Sequence, residues 1–327
     1  MAHLGTLQLL VFTALVGGGI GTVAATLWWL VGREGLRRMR PAPRLRRLLG
    51  MAALPILGVG LLTGAALLPS LLDALGLVAD HCSAHPDHHL HLCLVHGGHV
   101  HASSLGWALV GLVSLGGGIR AARVVWRWAR ATGRLRRLRK AAVFDEQHGV
   151  WRISSELPFA VTVGLLSPRV LVSDALADSL SEDELQVVRS HEEVHARRRH
   201  ALWQVLVELA GSLHLPAVRG FLAEEVDLAC EQIADREAVG EAAGPVGVAD
   251  TILAVERLLE QTDRHRRLRP VFDGSDVERR VVGLLDRPWT GPSSGAAAAV
   301  LTTVVSTLLF SYASIHHGLE TLFSLLL

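Results

Sequence analysis

The sequence predicts an α-helical membrane protein of four transmembrane helices, with a mainly helical α+β domain inserted ahead of the last one. Three observations carry this expectation. Half of the 327 residues are apolar and only 19% are charged, where soluble chains average about a quarter charged. The apolar residues gather in uncharged blocks: Gly5 to Gly32, Leu48 to Leu72, Ala102 to Ile119 and Gly291 to Ser314. Clusters of arginine lie directly against the blocks, which is how membrane spans are flanked.

The first block lacks the positive segment that precedes the apolar core of a signal peptide, and arginines follow it instead, so it reads as a retained helix. The second block runs 25 residues without a charge, beyond the roughly 20 that a helix needs to cross a bilayer. The third block is the shortest. Between the first two, Arg33 to Arg47 carries seven arginines against one glutamate, and after the third, Arg120 to Lys140 carries nine basic residues and no acid. Basic segments beside spans stay in the cytoplasm. Residues 1–119 are therefore expected to hold three spans, with a cytoplasmic basic loop at 33–47 and an external loop at 73–101. Residues 120–289 form a cytoplasmic domain, and 290–327 form the fourth span and a short external tail. Flanking a membrane accounts for the arginines, so no direct nucleic-acid partner is expected.

The external loop concentrates metal-binding chemistry. Eight of the 17 histidines fall between His81 and His101, together with Cys82 and Cys93. His81, His85, His88, His89 and His91 with the two thiols resemble a site for zinc, copper or nickel. In an oxidising exterior, Cys82 and Cys93 could instead close a disulfide. Imidazole protonation near pH 6 offers a further sensory route, and the sequence does not choose among these.

Inside, VWRI at Val150 to Ile153, FAVTVG at Phe159 to Gly164 and RVLVS at Arg169 to Ser173 are short apolar stretches punctuated by Pro158, Gly164 and Pro168. That pattern predicts a small sheet or hairpin. Ser181 followed by Glu184 forms a capping box, which starts a helix near Glu182 and carries it through SHEEVHARRRH. On that helix His191 and His195 stack four residues apart, so both imidazoles can reach one ion. Glu192 lies beside them, placed to take a proton from a water that the metal activates. Leu185 and Val188 continue the same face. A third ligand is needed, and the segment EEVDLACEQIADREAV offers Glu224, Glu225, Asp227, Glu231 and Asp235. Spacing alone selects none of them. Glu231 and Asp235 share a face, so that one could bind metal while the other orients a histidine.

The stretches PFAVTVGLLSPRVLVSDAL (Pro158 to Leu176), LSEDELQVVRSHEEVH (Leu180 to His195) and CEQIADREAV (Cys230 to Val239) resemble the M56 family of membrane-embedded zinc metallopeptidases, which includes beta-lactam sensor-transducers. The second zinc helix of the M48 peptidases, with its pattern ExxADxxA, is also matched by Glu231, Ala234, Asp235 and Ala238. The resemblance implies a zincin-like metalloprotease domain, a Zn²⁺ cofactor, Glu231 as the third ligand beside His191 and His195, Asp235 as its supporting carboxylate, and Glu192 as the catalytic residue. It further implies a multi-pass protein of the bacterial inner membrane, in contact with the lipid bilayer, whose active site faces the cytoplasm. The substrate is then a protein or peptide, either the chain itself or a cytoplasmic regulator such as a transcriptional repressor; homo-oligomers are left open.

Two departures matter. The sensor-transducers continue beyond the last span into an extracellular penicillin-binding domain, and nothing comparable precedes Leu327, so beta-lactam sensing is not expected. His200 stands where those sensors commonly carry aspartate. For stabilising a tetrahedral oxyanion, His214, Arg219 and Arg236 are candidates, and the strand from Val161 to Val163 could offer its edge to an extended peptide. The expected function is zinc-dependent endopeptidase. The alternative is a noncatalytic, metal-dependent membrane receptor or scaffold. Metal transport fits poorly, because the middle of each span lacks paired charged or metal-binding residues.

Overall fold

The computed structural model describes residues 2–77, 104–266 and 274–285, together with Gly318. Two long helices, α1 (Ala2–Arg37) and α2 (Pro41–Ala74), open the chain as an antiparallel pair. Within them Leu10–Arg37 and Pro41–Leu68 are long and apolar enough to cross a membrane. Small residues set their contact. A Cβ on Gly17 would lie 2.4 Å from the Gly58 carbonyl oxygen, and one on Gly21 would lie 2.3 Å from that of Leu54. Close backbone approach of this kind favours helix association in lipid.

The third apolar block begins α3 (Ser104–Ala141), which runs on without a break through all nine basic residues. Arginine and lysine are good helix formers, so the helix begun in the apolar block continues through the basic one. Of the four expected spans, two are seen among the described residues, in α1 and α2. The fourth block and the histidine-rich loop, with Cys82, Cys93, His81, His85, His88, His89 and His91, lie outside the described residues.

A four-stranded sheet follows: β1 (Val143–Asp145), β2 (Val150–Ile153), β3 (Ala160–Val163) and β4 (Arg169–Ser173), in the order β1-β2-β4-β3. β2 and β4 are parallel and the other pairs antiparallel, which leaves β3 as an edge strand. The turn from β3 to β4 requires Gly164, whose φ is +114° and where a Cβ would lie 2.6 Å from the Ser167 carbonyl oxygen. The three stretches expected to form a small sheet all do so. β1 is additional.

The short α4 (Asp174–Ala177) leads to α5 (Glu182–Arg198), whose capping box between Ser181 and Glu184 is formed as expected. Next come α6 (His200–Gly211), α7 (Pro216–Glu241), α8 (Pro245–Arg266) and α9 (Gly274–Leu285). α5 is gripped on three sides. Leu185 packs against Val150, Val170 and Val172 of the sheet, Val187 against Ala238 and Val248, and Val194 enters a larger core. That larger core joins Leu48, Met51 and Ala52 of α2 to Phe221, Leu222, Ala229 and Ile233 of α7. The base of the helical hairpin and the helix bearing Glu231 therefore share one hydrophobic interior.

Candidate active site

α5 and α7 bring His191, His195 and Glu231 together, with one donor atom of each lying within 4.8 Å of the others. The two Nε2 atoms are 3.1 Å apart, and the Glu231 carboxylate oxygens stand 3.4 Å from His191 and 3.5 Å from His195. Two ligands held about 2.05 Å from a tetrahedral ion are separated by roughly 3.3 Å. The three donors therefore fit a small tetrahedral ion.

Each ligand is oriented from behind. His191 donates from Nδ1 to Asp235 Oδ1 at 2.9 Å, which turns Nε2 toward the other two donors. Asp235 is fully buried and also takes a forked pair from Arg280 of α9, Nε to Oδ2 at 2.8 Å and Nη2 to Oδ1 at 2.7 Å. Arg280 Nη1 reaches Glu231 Oε2 at 3.1 Å. One guanidinium thus holds both carboxylates of the α7 pair. Burial alone would raise Glu231 and Asp235, but Arg280 and His191 hold both well below the usual carboxylate range.

Burial works against a charged His191, yet hydrogen bonds to Asp235 and Glu231 outweigh it and raise the group to about 10. Burial lowers His195. The metal-free site therefore carries one proton on His191 that an incoming ion must displace. The sign follows directly: an ion needs the neutral imidazole, so apparent divalent-metal affinity should fall as pH falls, by up to about tenfold per unit. Competition titrations with a chromophoric chelator between about pH 8 and pH 6 check this; an affinity independent of pH would contradict it.

Glu192 is not among the three donors. Its Oε2 accepts a hydrogen bond from Thr162 Oγ1 of β3 at 2.7 Å, and the same hydroxyl sits 2.8 Å from the Glu192 carbonyl oxygen. The edge strand thereby fixes the carboxylate beside the ligand cluster.

His195 is held by His200. Arg199 adopts a left-handed conformation, φ +53°, which ends α5 and turns α6 back so that the two Nδ1 atoms are 3.1 Å apart. Burial pushes His200 down to about 4, so it is neutral. With an ion held at His195 Nε2, the proton of that ring would sit on Nδ1 and His200 Nδ1 would accept it. The aspartate-to-histidine departure thus keeps an acceptor in place. Removing it with His200→Ala should weaken metal binding about 10- to 100-fold, and His200→Asp should restore it. A dissociation constant unchanged in His200→Ala would remove this assignment.

The structure separates the five candidate carboxylates. Glu231 and Asp235 face the histidines. Asp227 accepts from Gln204 at 2.9 Å, Glu224 is exposed, and Glu225 turns to the base of the hairpin. There it meets Arg37 at 3.1 Å, Arg44 at 3.5 Å and Arg279 at 2.7 Å, with Arg44 and Glu225 both fully buried. The residues considered for oxyanion stabilisation are engaged elsewhere: His214 donates to the Ala52 carbonyl, Arg219 faces Glu208, and Arg236 donates to the Gly283 carbonyl. Sequence reasoning missed Thr162 and Arg280. Thr162 carried no signal. Arg280 did, since it shares a helical face with Val277, Val281 and Leu284, and an arginine inside an apolar stripe needs a buried carboxylate.

A His-Glu-x-x-His helix meeting a glutamate from a second helix, beside a small sheet, defines the metal-dependent peptidase class. The comparisons with known proteins go further. The family described as BlaR1 peptidase M56 matches residues 77–284, well over half of the sequence. The chain belongs to the M56 peptidase family. No curated protein and no solved structure matches it.

Proposed function

We propose that the chain is a zinc-dependent endopeptidase of the bacterial inner membrane, anchored by four spans, with its active site facing the cytoplasm. The observation that carries this reading is the meeting of His191, His195 and Glu231 at tetrahedral spacing, with Glu192 fixed beside them by Thr162. A zinc ion held by the three donors would supply Lewis acidity and make water nucleophilic near neutral pH. Thr162 occupies Glu192 Oε2 and leaves Oε1 to take the proton of the attacking water. Glu192 then returns that proton to the departing amine nitrogen. Among the described residues β3 is an edge strand, which supports docking of an extended peptide by main-chain hydrogen bonds and would lay the scissile bond across the Thr162–Glu192 pair.

The substrate is the chain itself or a cytoplasmic regulator such as a transcriptional repressor, and the histidine-rich loop at 73–101 reads the stimulus. Purified protein should contain about one zinc per chain. Chelation should stop cleavage of a repressor-derived peptide or of the chain itself, and added zinc should restore it. Cleavage that persists in a chelator, or metal-free protein that cleaves, would end the proposal.

A further inference from the structure

The turn between α6 and α7 is built unlike a turn that faces water. Its exposed side chains are Leu213 and Leu215, where water-facing turns carry Asn, Asp, Ser or Gly. The backbone N–H groups of Ser212, Leu213 and His214 are all paired, with Leu209, Ala210 and Gly211 at 3.0, 3.0 and 3.1 Å, and Pro216 has none to pair. The Leu213 carbonyl lies 3.0 Å from Thr22 Oγ1 and shares its single proton with the Gly18 carbonyl at 2.9 Å. These pairs lower the cost of placing this part of the turn away from water.

The depth of the turn can be read from the hairpin it touches. Gly17 faces Gly58 and Gly21 faces Leu54, so facing positions sum to 75. Trp28 and Trp29 of α1 then lie level with Arg47 and Arg46 of α2, a tryptophan–arginine band of the kind found at a membrane surface. Thr22 on α1 and Ala52 on α2 hold the turn, through Leu213 and His214. Thr22 is six residues beyond Trp28 toward the apolar middle of the helix, about 9 Å at 1.5 Å per residue. Leu57 and Ile20, exposed on the same hairpin, continue the apolar surface.

Behind the turn lies a cavity of about 480 Å³ bounded by Arg120, Arg127, Glu208, His214, Pro216 and Arg219. Arg127 and Arg219 share the single carboxylate of Glu208, which also accepts from Trp128. Three guanidinium groups against one carboxylate leave the cavity cationic. Arg120 directly follows Ile119, the end of the third apolar block, which sets the cavity at headgroup level.

We propose that the α6–α7 turn is a membrane contact, with Leu213 and Leu215 in the hydrocarbon of the arginine-side leaflet and an anionic phospholipid headgroup in the cavity behind them. The inference rests on α1, α2 and the apolar first half of α3 being spans. Charge complementarity selects the anionic lipid, and continuity with the apolar hairpin surface selects a lipid over a free anion.

The test uses the full chain in nanodiscs of mixed phosphatidylglycerol and phosphatidylcholine. Cys82→Ser and Cys93→Ser leave only buried Cys230, and a nitroxide is placed at position 213, 57 or 178 in turn. Oxygen, which partitions into lipid, and a water-soluble nickel chelate report the surroundings. The label at 213 should match that at 57 on α2 and differ from that at 178 on the domain surface. A water-like signal at 213 with a lipid-like one at 57 overturns this proposal alone, whereas a water-like signal at 57 overturns the span assignment as well. Shielding of 213 from both reagents would mean that protein covers the turn, another segment of the chain or a second copy, and also overturns it. Retained lipid, measured by native mass spectrometry, should favour phosphatidylglycerol. Arg120→Gln, and the double variant with Arg219→Gln, should each lower that preference, about fivefold per arginine. An unchanged preference, or displacement of the lipid by millimolar inorganic phosphate, overturns the headgroup assignment.

Discussion

Glu192→Gln is expected to lower peptide cleavage by about 10²- to 10⁴-fold while leaving the metal content unchanged. Two features of the site set that split. His191, His195 and Glu231 supply the three donors without Glu192, so the ion keeps its ligands. Glutamine keeps an oxygen that accepts from Thr162, so the side chain stays where it is. Only the basic oxygen is lost. Measuring zinc stoichiometry alongside turnover on the same preparation separates this outcome from unfolding. Turnover close to wild type would sink the proton-transfer role, and biological output that survives without turnover would favour the receptor or scaffold reading.

Glu225→Ala is expected to destabilise the chain by about 3–5 kcal/mol, the usual cost of stranding a buried charge. Arg44 would be left fully buried without its carboxylate, beside Gln232 Oε1 at 2.7 Å. Arg37 and Arg279 are partly exposed and can turn to water, so Arg44 bears most of the loss. Pairing Glu225→Leu with Arg44→Met should recover most of the stability, since both charges then leave together. Unfolding midpoints in nanodiscs measure this. A midpoint unmoved by Glu225→Ala would show that the cluster contributes nothing to the interior shared by α2 and α7.

The helical zinc-ligand pattern was legible because it is local. His191, Glu192 and His195 lie within one turn and a half of helix, and the capping box of Ser181 and Glu184 announces where that helix begins. Glu231 was reached only through the family resemblance, since five carboxylates lay within reach and their spacing did not rank them. What separates them is tertiary: Glu225 faces the arginines of the hairpin, Asp227 faces Gln204, and Glu231 alone of the three faces His191 and His195. Thr162 and Arg280 come from β3 and α9, on either side of α5 and α7 in the sequence. No periodicity links residues so distant, and only folding places them together. The continuity of α3 across residue 119 was hidden for the opposite reason. Hydropathy reports side-chain polarity, and α3 passes from an apolar block into a basic one without changing its backbone.

Arg199 carries a further consequence. A non-glycine residue in the left-handed region is held at a cost of about 1 kcal/mol or more, and here it turns the chain so that His200 meets His195. Lengthening or shortening the α5–α6 joint by one residue would swing α6 through about 100° and carry that imidazole away. Natural variants should therefore keep the count between the second histidine and the start of α6 fixed while freely changing the charges around it, and glycine or asparagine should be the easiest replacements at the joint itself.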